Sequence, residues 1–302
     1  MDELTQTPQI KMDLITLTPR HEETTVAACD TSTMRIGETA TGMLIAVRGA
    51  AVWRQNKKYR YMRLGPFVFH VTEENKAQLY DTLEKSYFDA THGHGHHFGL
   101  NLLQMPLRIA GLLERWQQVM LARTLDSGLI LLDGSLTAGT GDTPVQRIRE
   151  ILAHAGRSRN VILAFSKMTS LRAGGRLITD ACFGRNSPSL LHILGLRPKP
   201  PIVLFGDVYV ARLSKGGCAF RLDIDKENPF ERRIEAVERL LGNDVFSQGY
   251  PETLRLAHIL CTFTANEVLA MQHFAVRRYG LQIIERPDMH RLLFGPFGRG
   301  EA

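Results

Sequence analysis

The sequence predicts a mixed α/β fold, and three features of the chain support this prediction. Short apolar runs alternate with longer stretches in which apolar residues recur at helical spacing. Hydrophobic residues make up 44% of the 302 residues, which is enough for a sizeable core. The sequence has no long repeat, low-complexity tract or evident linker, so we expect a single domain over residues 1–302.

Three strand-like runs come first, at Thr24–Asp30, Met43–Trp53 and Tyr61–Val71. Polar or Gly-containing segments bound each run, as is usual for strands. Helical sequence follows at Glu73–Tyr87 and again at Leu102–Leu125. The amino-terminal half therefore predicts three strands followed by two helices.

The next elements have the pattern of a parallel sheet. Gly128–Asp133 (GLILLD) is short and continuously apolar, as expected of a strand that is covered on both faces. After a predicted helix at Pro144–Ala155, the run Val161–Phe165 repeats this pattern. The resulting order of elements predicts an RNase H-like mixed sheet flanked by helices, with insertions.

The segment Lys167–Pro201 is rich in Gly, Arg and Pro, and we expect an irregular insertion at about residues 168–200. Beyond it, Val208–Leu213 and Ala219–Ile224 are predicted to form a hairpin that turns at Lys215-Gly216-Gly217. The last predicted elements are helices within Phe230–Leu241 and Pro251–Tyr279.

Composition limits the classes of protein. The first residues carry acids without the apolar region of a secretory signal, and no apolar run is long enough to span a bilayer. We therefore expect a cytoplasmic protein with no membrane partner. The net charge of +6 is compatible with a polyanionic partner. The four cysteines form no Cys-x-x-Cys pair, which argues against a zinc ribbon and a disulfide framework.

Several motifs are absent or receive a structural interpretation. The stretch Gly134–Gly141 lacks the lysine of a phosphate-binding loop, and no Gly-x-Ser-x-Gly elbow is present, so neither ATP hydrolysis nor that class of serine hydrolase is supported. The His/Gly run at residues 92–97 has no helix-spaced histidine pair and is interpreted as a solvated connector. Trp53 and Trp116 are interpreted as core residues rather than base-stacking platforms.

Two aspartates stand at the carboxyl ends of predicted strands, where open α/β sheets place their sites. Small polar residues follow both Asp30 and Asp133. If the two strands are parallel neighbours, about 4.8 Å apart, the carboxylates face one pocket and need a cation or proton between them. For either aspartate alone, capping the following turn is the simpler function, but the repetition of the pattern weakens that alternative.

Glu114 is the third acidic candidate. At helical spacing it falls within an apolar stripe of the helix Leu102–Leu125, and a carboxylate on a buried face needs a partner. The other members of this stripe are Leu103, Leu107, Ala110 and Leu121. Taken alone, Glu114 is explained equally well by an arginine partner. Together with Asp30 and Asp133, it would form the oxygen-rich environment that Mg²⁺ or Mn²⁺ prefers.

Four segments resemble the conserved blocks of NurA nucleases and follow one another in the family's order. AACDTSTMRIGETATGMLIAVRGAAV, at Ala27–Val52, resembles the first block, in which an Asp closes strand one. Glu114 followed by LILLDGSL, at Leu129–Leu136, resembles the second, and VILAFSK, at Val161–Lys167, resembles the third. GYPETLRLAH, at Gly249–His258, is similar to the carboxyl-terminal Gly-Tyr-Pro…Ala-His signature.

The resemblance implies an RNase H-like fold, a homodimer and Mn²⁺-dependent cleavage of single- and double-stranded DNA, with Mg²⁺ as the alternative ion. The implied activities are those of a 5′-end exonuclease and a single-strand endonuclease. A hexameric HerA-type ATPase is the implied partner, in DNA-end resection and double-strand break repair at the nucleoid. The segment at residues 168–200 matches no block of the family.

The family's acidic site maps onto Asp30, Glu114 and Asp133, and its histidine maps onto His258. Taken alone, His258 on an amphipathic helix is more typical of a structural histidine. The resemblance also assigns Tyr250 to substrate contact or to positioning of the site.

The predicted chemistry is phosphodiester hydrolysis assisted by one or two divalent ions. Asp30 and Asp133 would hold the metal, and Glu114 would complete the ligand set or orient the water. His258 would bind metal or assist proton transfer, and Lys167 would contact phosphate, although a surface lysine is the simpler interpretation. Two alternatives remain open, which are a non-catalytic nucleic-acid-binding adaptor on the same fold and a metal hydrolase of small phosphoesters.

Overall fold

The fold is built on a nine-stranded mixed sheet. The computed structural model describes residues 4–5, 11–88, 101–141, 143–173, 175–182, 184 and 186–284. The His/Gly run at residues 92–97 lies outside the described residues. The strands of the large sheet are β1 (Lys11–Thr16), β2 (Val26–Thr39), β3 (Gly42–Gln55), β4 (Lys58–Thr72), β5 (Leu129–Asp133), β6 (Val161–Ser166), β7 (Ser189–Leu194), β8 (Gly206–Arg212) and β9 (Phe220–Asp225).

Helices cover both faces of this sheet. They are α1 (Lys76–Phe88), α2 (Met105–Thr124), α3 (Val145–Arg157), α4 (Phe230–Asn243), α5 (Glu252–Cys261) and α6 (Ala265–Tyr279). Two 3₁₀ helices lie at Leu102–Gln104 and Ile178–Cys182. Two-residue strands pair Leu4–Thr5 with Arg197–Pro198, Arg172–Ala173 with Arg176–Leu177, Thr137–Ala138 with Val203–Leu204, and Phe246–Ser247 with Tyr250–Pro251.

The strand order across the sheet is β1-β7-β8-β9-β6-β5-β2-β3-β4. The β2/β5 and β5/β6 ladders are parallel, and every other ladder of this sheet is antiparallel. The predicted mixed sheet is therefore confirmed, with its parallel strands at the centre. The predicted hairpin after residue 200 is also confirmed, since β8 pairs with β9.

The central strands are apolar because both of their faces are covered. Leu129 and Leu131 of β5 lie in the core beneath α4 and α5, whereas Ile130 and Leu132 lie in the core beneath α2 and α3. Every residue of β6, Val161–Ser166, is buried. The continuous apolar runs of the sequence therefore correspond to strands packed between two layers of helices.

Three parts of the fold differ from the sequence prediction. Asp30 does not end a strand, because β2 continues to Thr39 as one arm of a long hairpin. The segment at residues 168–200, expected to be irregular, contains the sheet strand β7. The strand β1, which no sequence pattern predicted, pairs with β7 at the edge of the sheet. The division into one domain stays a prediction.

The last helical stretch divides into α5 and α6 around Thr262–Thr264. The Thr264 side chain accepts a hydrogen bond from the backbone of Glu267, whose carboxylate accepts one from the backbone N–H of Thr264. This reciprocal capping starts α6 as a separate helix. Among the helices of the described residues, none is both long and apolar enough to cross a membrane.

Candidate active site

Asp133 is the last residue of β5, and the chain turns sharply after it. Gly134 has a φ of +116°, a conformation that residues with a side chain rarely adopt. Its N–H donates to the carbonyl of Phe165 at 2.8 Å, and its own carbonyl accepts from the Ser166 hydroxyl at 2.8 Å. The end of β6 therefore fixes the position of Asp133.

Asp30 lies just beyond the parallel ladder, which pairs β2 with β5 only from Val26 to Ala28. One carboxylate oxygen of Asp30 accepts from the backbone N–H of Thr31 at 2.7 Å. The other accepts from Nδ1 of His258 at 2.7 Å. Since Nδ1 carries the proton of that bond, the lone pair of the neutral imidazole lies on Nε2, the form that suits a base or a metal ligand.

Glu114 extends from α2 and is partly buried. Its carboxylate accepts from the Gln118 amide at 2.8 Å, and the Gln118 oxygen in turn accepts from Arg115 at 2.8 Å. Burial raises the pKa of Glu114 to about 7; the Arg115 charge lowers it, while Asp30 and Asp133 raise it further. The electrostatic effect of both aspartates places the three carboxyl groups in one region, although their role as a shared metal site stays a prediction.

The apolar stripe predicted around Glu114 is wrong in part. Leu103 and Leu107 are 68% and 70% exposed, and within the stripe only Ala110 is well buried. Glu114 is buried for another reason, because α2 packs over β2 and the Thr31 hydroxyl donates to the Ala110 carbonyl at 3.3 Å.

Lys167 follows β6 and lies against the acidic cluster. Its ammonium nitrogen is 2.6 Å from Oδ2 of Asp133 and 5.8 Å from the centre of the Tyr250 ring. The lysine therefore places a positive charge on the carboxylate that the sequence predicts to bind metal. It is not a detached surface residue, although its side chain is 42% exposed.

Tyr250 forms a wall of the same site. A two-residue turn with positive φ at Gln248 (53°) and Gly249 (85°) reverses the chain before it, the conformation of a type I′ hairpin. Its ring contacts Phe165 and Phe220 at centroid distances of 6.2 and 5.2 Å. Its hydroxyl is buried without a hydrogen-bond partner among the described residues, and burial, Asp133 and Asp30 all raise its pKa.

A cavity of about 450 Å³ opens beside Asp133. Its polar lining includes Ser135, Ser166, Lys167, Thr169 and Arg221. Arg221 is held by two 2.7 Å hydrogen bonds to the buried carboxylate of Asp223. Two cationic side chains, Lys167 and Arg221, therefore line the same cavity as Asp133.

The sequence interpretation missed Arg221 as a residue of the site. The available signal was an opposite-charge pair two residues apart on one face of β9, whose other face is apolar. Such a pair needs mutual neutralisation when it is buried.

Cys261 was also missed as a neighbour of the site. Among the described residues, ligand atoms of Asp30, His258 and Cys261 form a group lying within 4.8 Å of one another, and Glu114 and Asp133 lie outside this group. Burial is the main cause that raises the pKa of Cys261 to about 12, so this side chain remains a thiol near neutral pH. Its S–H donates to the His258 carbonyl at 3.2 Å, a structural rather than a ligand contact.

The remaining donors fit a hard divalent cation. Asp30, Glu114 and Asp133 would supply carboxylate oxygens and His258 a nitrogen, the donor set that Mg²⁺ and Mn²⁺ accept, and this ligand set stays a prediction. Burial is the main cause of the raised pKa of Glu114, and the two aspartates add to it, as like charges near one another do.

The sheet order is that of the predicted RNase H-like fold, and comparison with solved structures supports this fold. The NurA nuclease from Sulfolobus solfataricus aligns with a TM-score of 0.53 at 15% identity, over 87% of both chains. The predicted NurA-like, RNase H-like fold is therefore confirmed. No family model matches the sequence, and neither does any curated protein sequence.

Two further structures align less well. NurA bound to dAMP and manganese gives a TM-score of 0.49 at 9% identity, over 86% of this chain and 89% of that one. Endonuclease V from Streptomyces avermitilis gives a TM-score of 0.39 at 14% identity, over 85% of this chain and 86% of that one.

Proposed function

We propose that the protein is a metal-dependent DNA nuclease that hydrolyses phosphodiester bonds at this acidic edge of the sheet. The observation that carries the proposal is the cavity beside Asp133, which Lys167 and Arg221 also line, together with the hydrogen bond between His258 and Asp30 on the neighbouring strand. Burial raises the pKa of Glu114, Asp30 and Asp133 add to that shift, and Lys167 and Arg221 line a cavity together with Asp133. Acidic groups suit a divalent cation, and fixed cations suit the phosphate of the substrate.

The residues of the chain divide the reaction between them. A divalent ion bound to the carboxylates would activate water and neutralise charge on the phosphoryl oxygens. Asp30 and Asp133 hold this ion, and Glu114 completes its ligands or orients the water. His258, fixed through Nδ1 by Asp30, binds the ion or transfers a proton through Nε2.

Substrate displaces Lys167 from Asp133 in this scheme. The ammonium would then contact a phosphate oxygen in the cavity that both residues line, and the Asp133 carboxylate would be left to hold a divalent cation. Arg221 stays in place because Asp223 holds it by two hydrogen bonds. Tyr250 packs under Lys167 and positions the site through its buried ring.

The finer functional assignments are supported by the resemblance of the sequence blocks to NurA nucleases. They comprise Mn²⁺ as the ion, 5′-end exonuclease and single-strand endonuclease activities, and a role in DNA-end resection and double-strand break repair. They also comprise a homodimer and a hexameric HerA-type ATPase partner. Co-elution of the two purified proteins tests the partnership, and failure to co-elute or to stimulate each other removes it.

The test of the nuclease is incubation with end-labelled single- and double-stranded DNA in the presence of Mn²⁺, Mg²⁺ or chelator. We expect cleavage with a metal and none with chelator. Turnover of a chromogenic phosphodiester at a rate comparable with DNA would instead support a hydrolase of small phosphoesters.

A non-catalytic nucleic-acid-binding subunit is the second candidate, and the Lys167–Asp133 ion pair favours it. An internal ammonium satisfies Asp133 without a metal. Under this alternative, Mn²⁺ titrated into the protein produces no binding heat, and DNA is bound but remains intact.

A further inference from the structure

A second cavity, of about 500 Å³, lies between α2 and strands β2, β3 and β4. This volume is within the range of small-molecule pockets in proteins. The residues that define it are Trp53, Met62, Trp116, Gln117 and Met120. Ala27 also lines it, and because side chains alternate along a strand, this residue and Asp30 face opposite sides of β2. None of the residues predicted for the acidic site lines this cavity, so the two are separate.

Gln117 is an unusual component of such an apolar cavity. The residue is 2% exposed, and both Nε2 and Oε1 are buried without a hydrogen-bond partner among the described residues. Its amide lies against Gly49, where a Cβ added to the glycine would be 2.6 Å from Nε2. A glycine therefore makes room for an amide that the protein itself does not satisfy, which is a destabilising arrangement in the absence of a ligand.

The aromatic walls favour a planar ligand. The chain has two tryptophans, Trp53 and Trp116, and both line this cavity. Trp116 also contacts Tyr87 at a centroid distance of 5.8 Å, which supports its ring from the side. Indole rings stack on nucleobases without strong sequence preference, and thioethers such as Met62 and Met120 adapt to ring edges.

A basic rim adjoins these walls. Across the β3/β4 ladder, Trp53 is paired with Arg60 and Gln55 with Lys58, so each pair projects from the same face of the sheet. Arg60 and Lys58 are exposed beside a cavity that Trp53 and Gln55 line. The carboxylate of Asp126, also at the cavity, is neutralised by Arg159 at 3.0 Å. The aromatic rings inside the cavity and the cationic side chains at its rim therefore match a nucleobase and its adjoining phosphates.

We propose that this cavity binds one nucleobase of a single-stranded DNA, and that the Gln117 amide turns from Gly49 toward the cavity to pair with the donor and acceptor on the edge of the base. A glutamine amide pairs in this way with N6 and N7 of adenine. Trp53 and Trp116 enclose the base, and Arg60 and Lys58 hold the adjoining phosphates. The identification of a DNA strand as the source of the base rests on the proposed nuclease function. The fit of the cavity to a nucleobase does not depend on that function.

Tryptophan fluorescence is a direct test because both tryptophans of the chain lie in the cavity. The probes are (dA)8, a strand of eight abasic residues, and dAMP, each titrated with chelator present. We expect saturable quenching by (dA)8, with binding of the abasic strand weaker by about tenfold or more. Equal affinity for the abasic strand overturns the proposal, and equal affinity for dAMP overturns the assignment to a strand.

Gln117→Met is the key variant, since it keeps the size of the side chain and removes the amide. We expect about tenfold weaker binding of (dA)8, unchanged binding of the abasic strand, and a Tm equal to or above that of the wild type. If this variant binds (dA)8 with wild-type affinity, the proposal is wrong. It is also wrong if an apolar peptide quenches the tryptophan fluorescence of the wild type and DNA does not.

A catalytic variant separates this inference from the nuclease proposal. Asp133→Asn should retain quenching by (dA)8, because the residue lies outside the cavity. Quenching without DNA cleavage by the wild type leaves the base site standing and removes the nuclease. Cleavage without quenching removes the base site alone.

Discussion

The ammonium nitrogen of Lys167 lies 2.6 Å from Oδ2 of Asp133 at the end of the central parallel strands. Both residues line the same cavity, so the lysine occupies the side of the carboxylate from which a substrate-bound cation would approach. Competition between the ammonium and a metal for one carboxylate follows directly from this contact. This competition links the metal affinity of Asp133 to Lys167, the side chain that is expected to contact phosphate.

Lys167→Met should tighten Mn²⁺ binding in the absence of DNA. The substitution removes a positive charge that the ion must displace, and an exposed ion pair is worth up to about 1 kcal/mol, which corresponds to a few-fold lower Kd. DNA cleavage at saturating Mn²⁺ should nevertheless slow, because the phosphate contact is lost. Isothermal titration calorimetry and a cleavage assay measure the two effects.

Lys167→Arg is the matched control, since it keeps the charge, and its Mn²⁺ affinity should stay near that of the wild type. If Lys167→Met leaves both Kd and the cleavage rate unchanged, the contact with Asp133 is only a surface ion pair.

Asp133→Asn should slow DNA cleavage by at least about 100-fold while the protein remains folded. The amide keeps the shape of the side chain and removes the charge that a hard cation needs. Asn caps turns nearly as well as Asp, so a capping role predicts little change. Asp13→Asn, on the exposed edge strand β1, is the matched control. Cleavage by Asp133→Asn within a few-fold of wild type would exclude a catalytic role for this residue.

Glu114 should make the metal-free protein less stable as the pH rises from about 4.5 to about 7. Its pKa is raised to about 7 in the folded state, mainly by burial, against an ordinary value of 4.5. The folded state therefore binds the proton more tightly than the unfolded state. The resulting contribution to the free energy of unfolding, up to about 3 kcal/mol, is present at low pH and is lost as the pH rises through 7.

Urea unfolding with chelator at pH 5 and pH 8 measures this effect. The loss of unfolding free energy between the two values should be larger for wild type than for Glu114→Gln, which has no charge to gain. Equal losses in the two proteins would show that the pKa of Glu114 is not raised in the folded state. Mn²⁺ binding should strengthen over the same pH range, because the ion needs the ionised carboxylate.

The sequence was sufficient for the centre of the sheet because burial on both faces leaves a clear signal. GLILLD and VILAF are continuously apolar, and both became parallel strands between layers of helices. The edges carry a weaker signal. The strand β1 has four exposed and two partly buried residues, so its sequence lacks the apolar pattern on which the prediction relied.

The site was predictable where position along a strand decides it, and not where the partner comes from a distant segment. Asp133 was placed correctly at a strand end, whereas Asp30 was not, because β2 leaves the parallel ladder while continuing as a hairpin. The contact between Lys167 and Asp133 depends on the register of β5 with β6, which a sequence does not contain. Cys261 meets Asp30 only through the packing of α5.

Gly134→Ala should destabilise the protein by about 1–3 kcal/mol and also slow cleavage. Space is not the cause, since a Cβ at this position meets nothing within 4 Å, but a φ of +116° is strained for alanine. Relief of that strain shifts Asp133, the preceding residue. Gly111→Ala is the matched control, because this glycine also has nothing within 4 Å but lies in α2, where alanine is favoured by about 1 kcal/mol. Chemical unfolding of both variants measures the two changes in the free energy of unfolding.

His258→Gln should slow cleavage by about 10²–10⁴-fold without a large loss of stability. The imidazole is fixed by the 2.7 Å bond from Nδ1 to Asp30, but its side chain is 54% exposed, so little packing is lost. His273→Gln, on the exposed side of α6, should behave as wild type. Single-turnover rates combined with Mn²⁺ titration distinguish the two roles of the residue. A lower rate at unchanged Mn²⁺ affinity assigns His258 to proton transfer, and a higher Kd for Mn²⁺ makes it a ligand. A rate within a few-fold of wild type leaves it as a structural partner of Asp30.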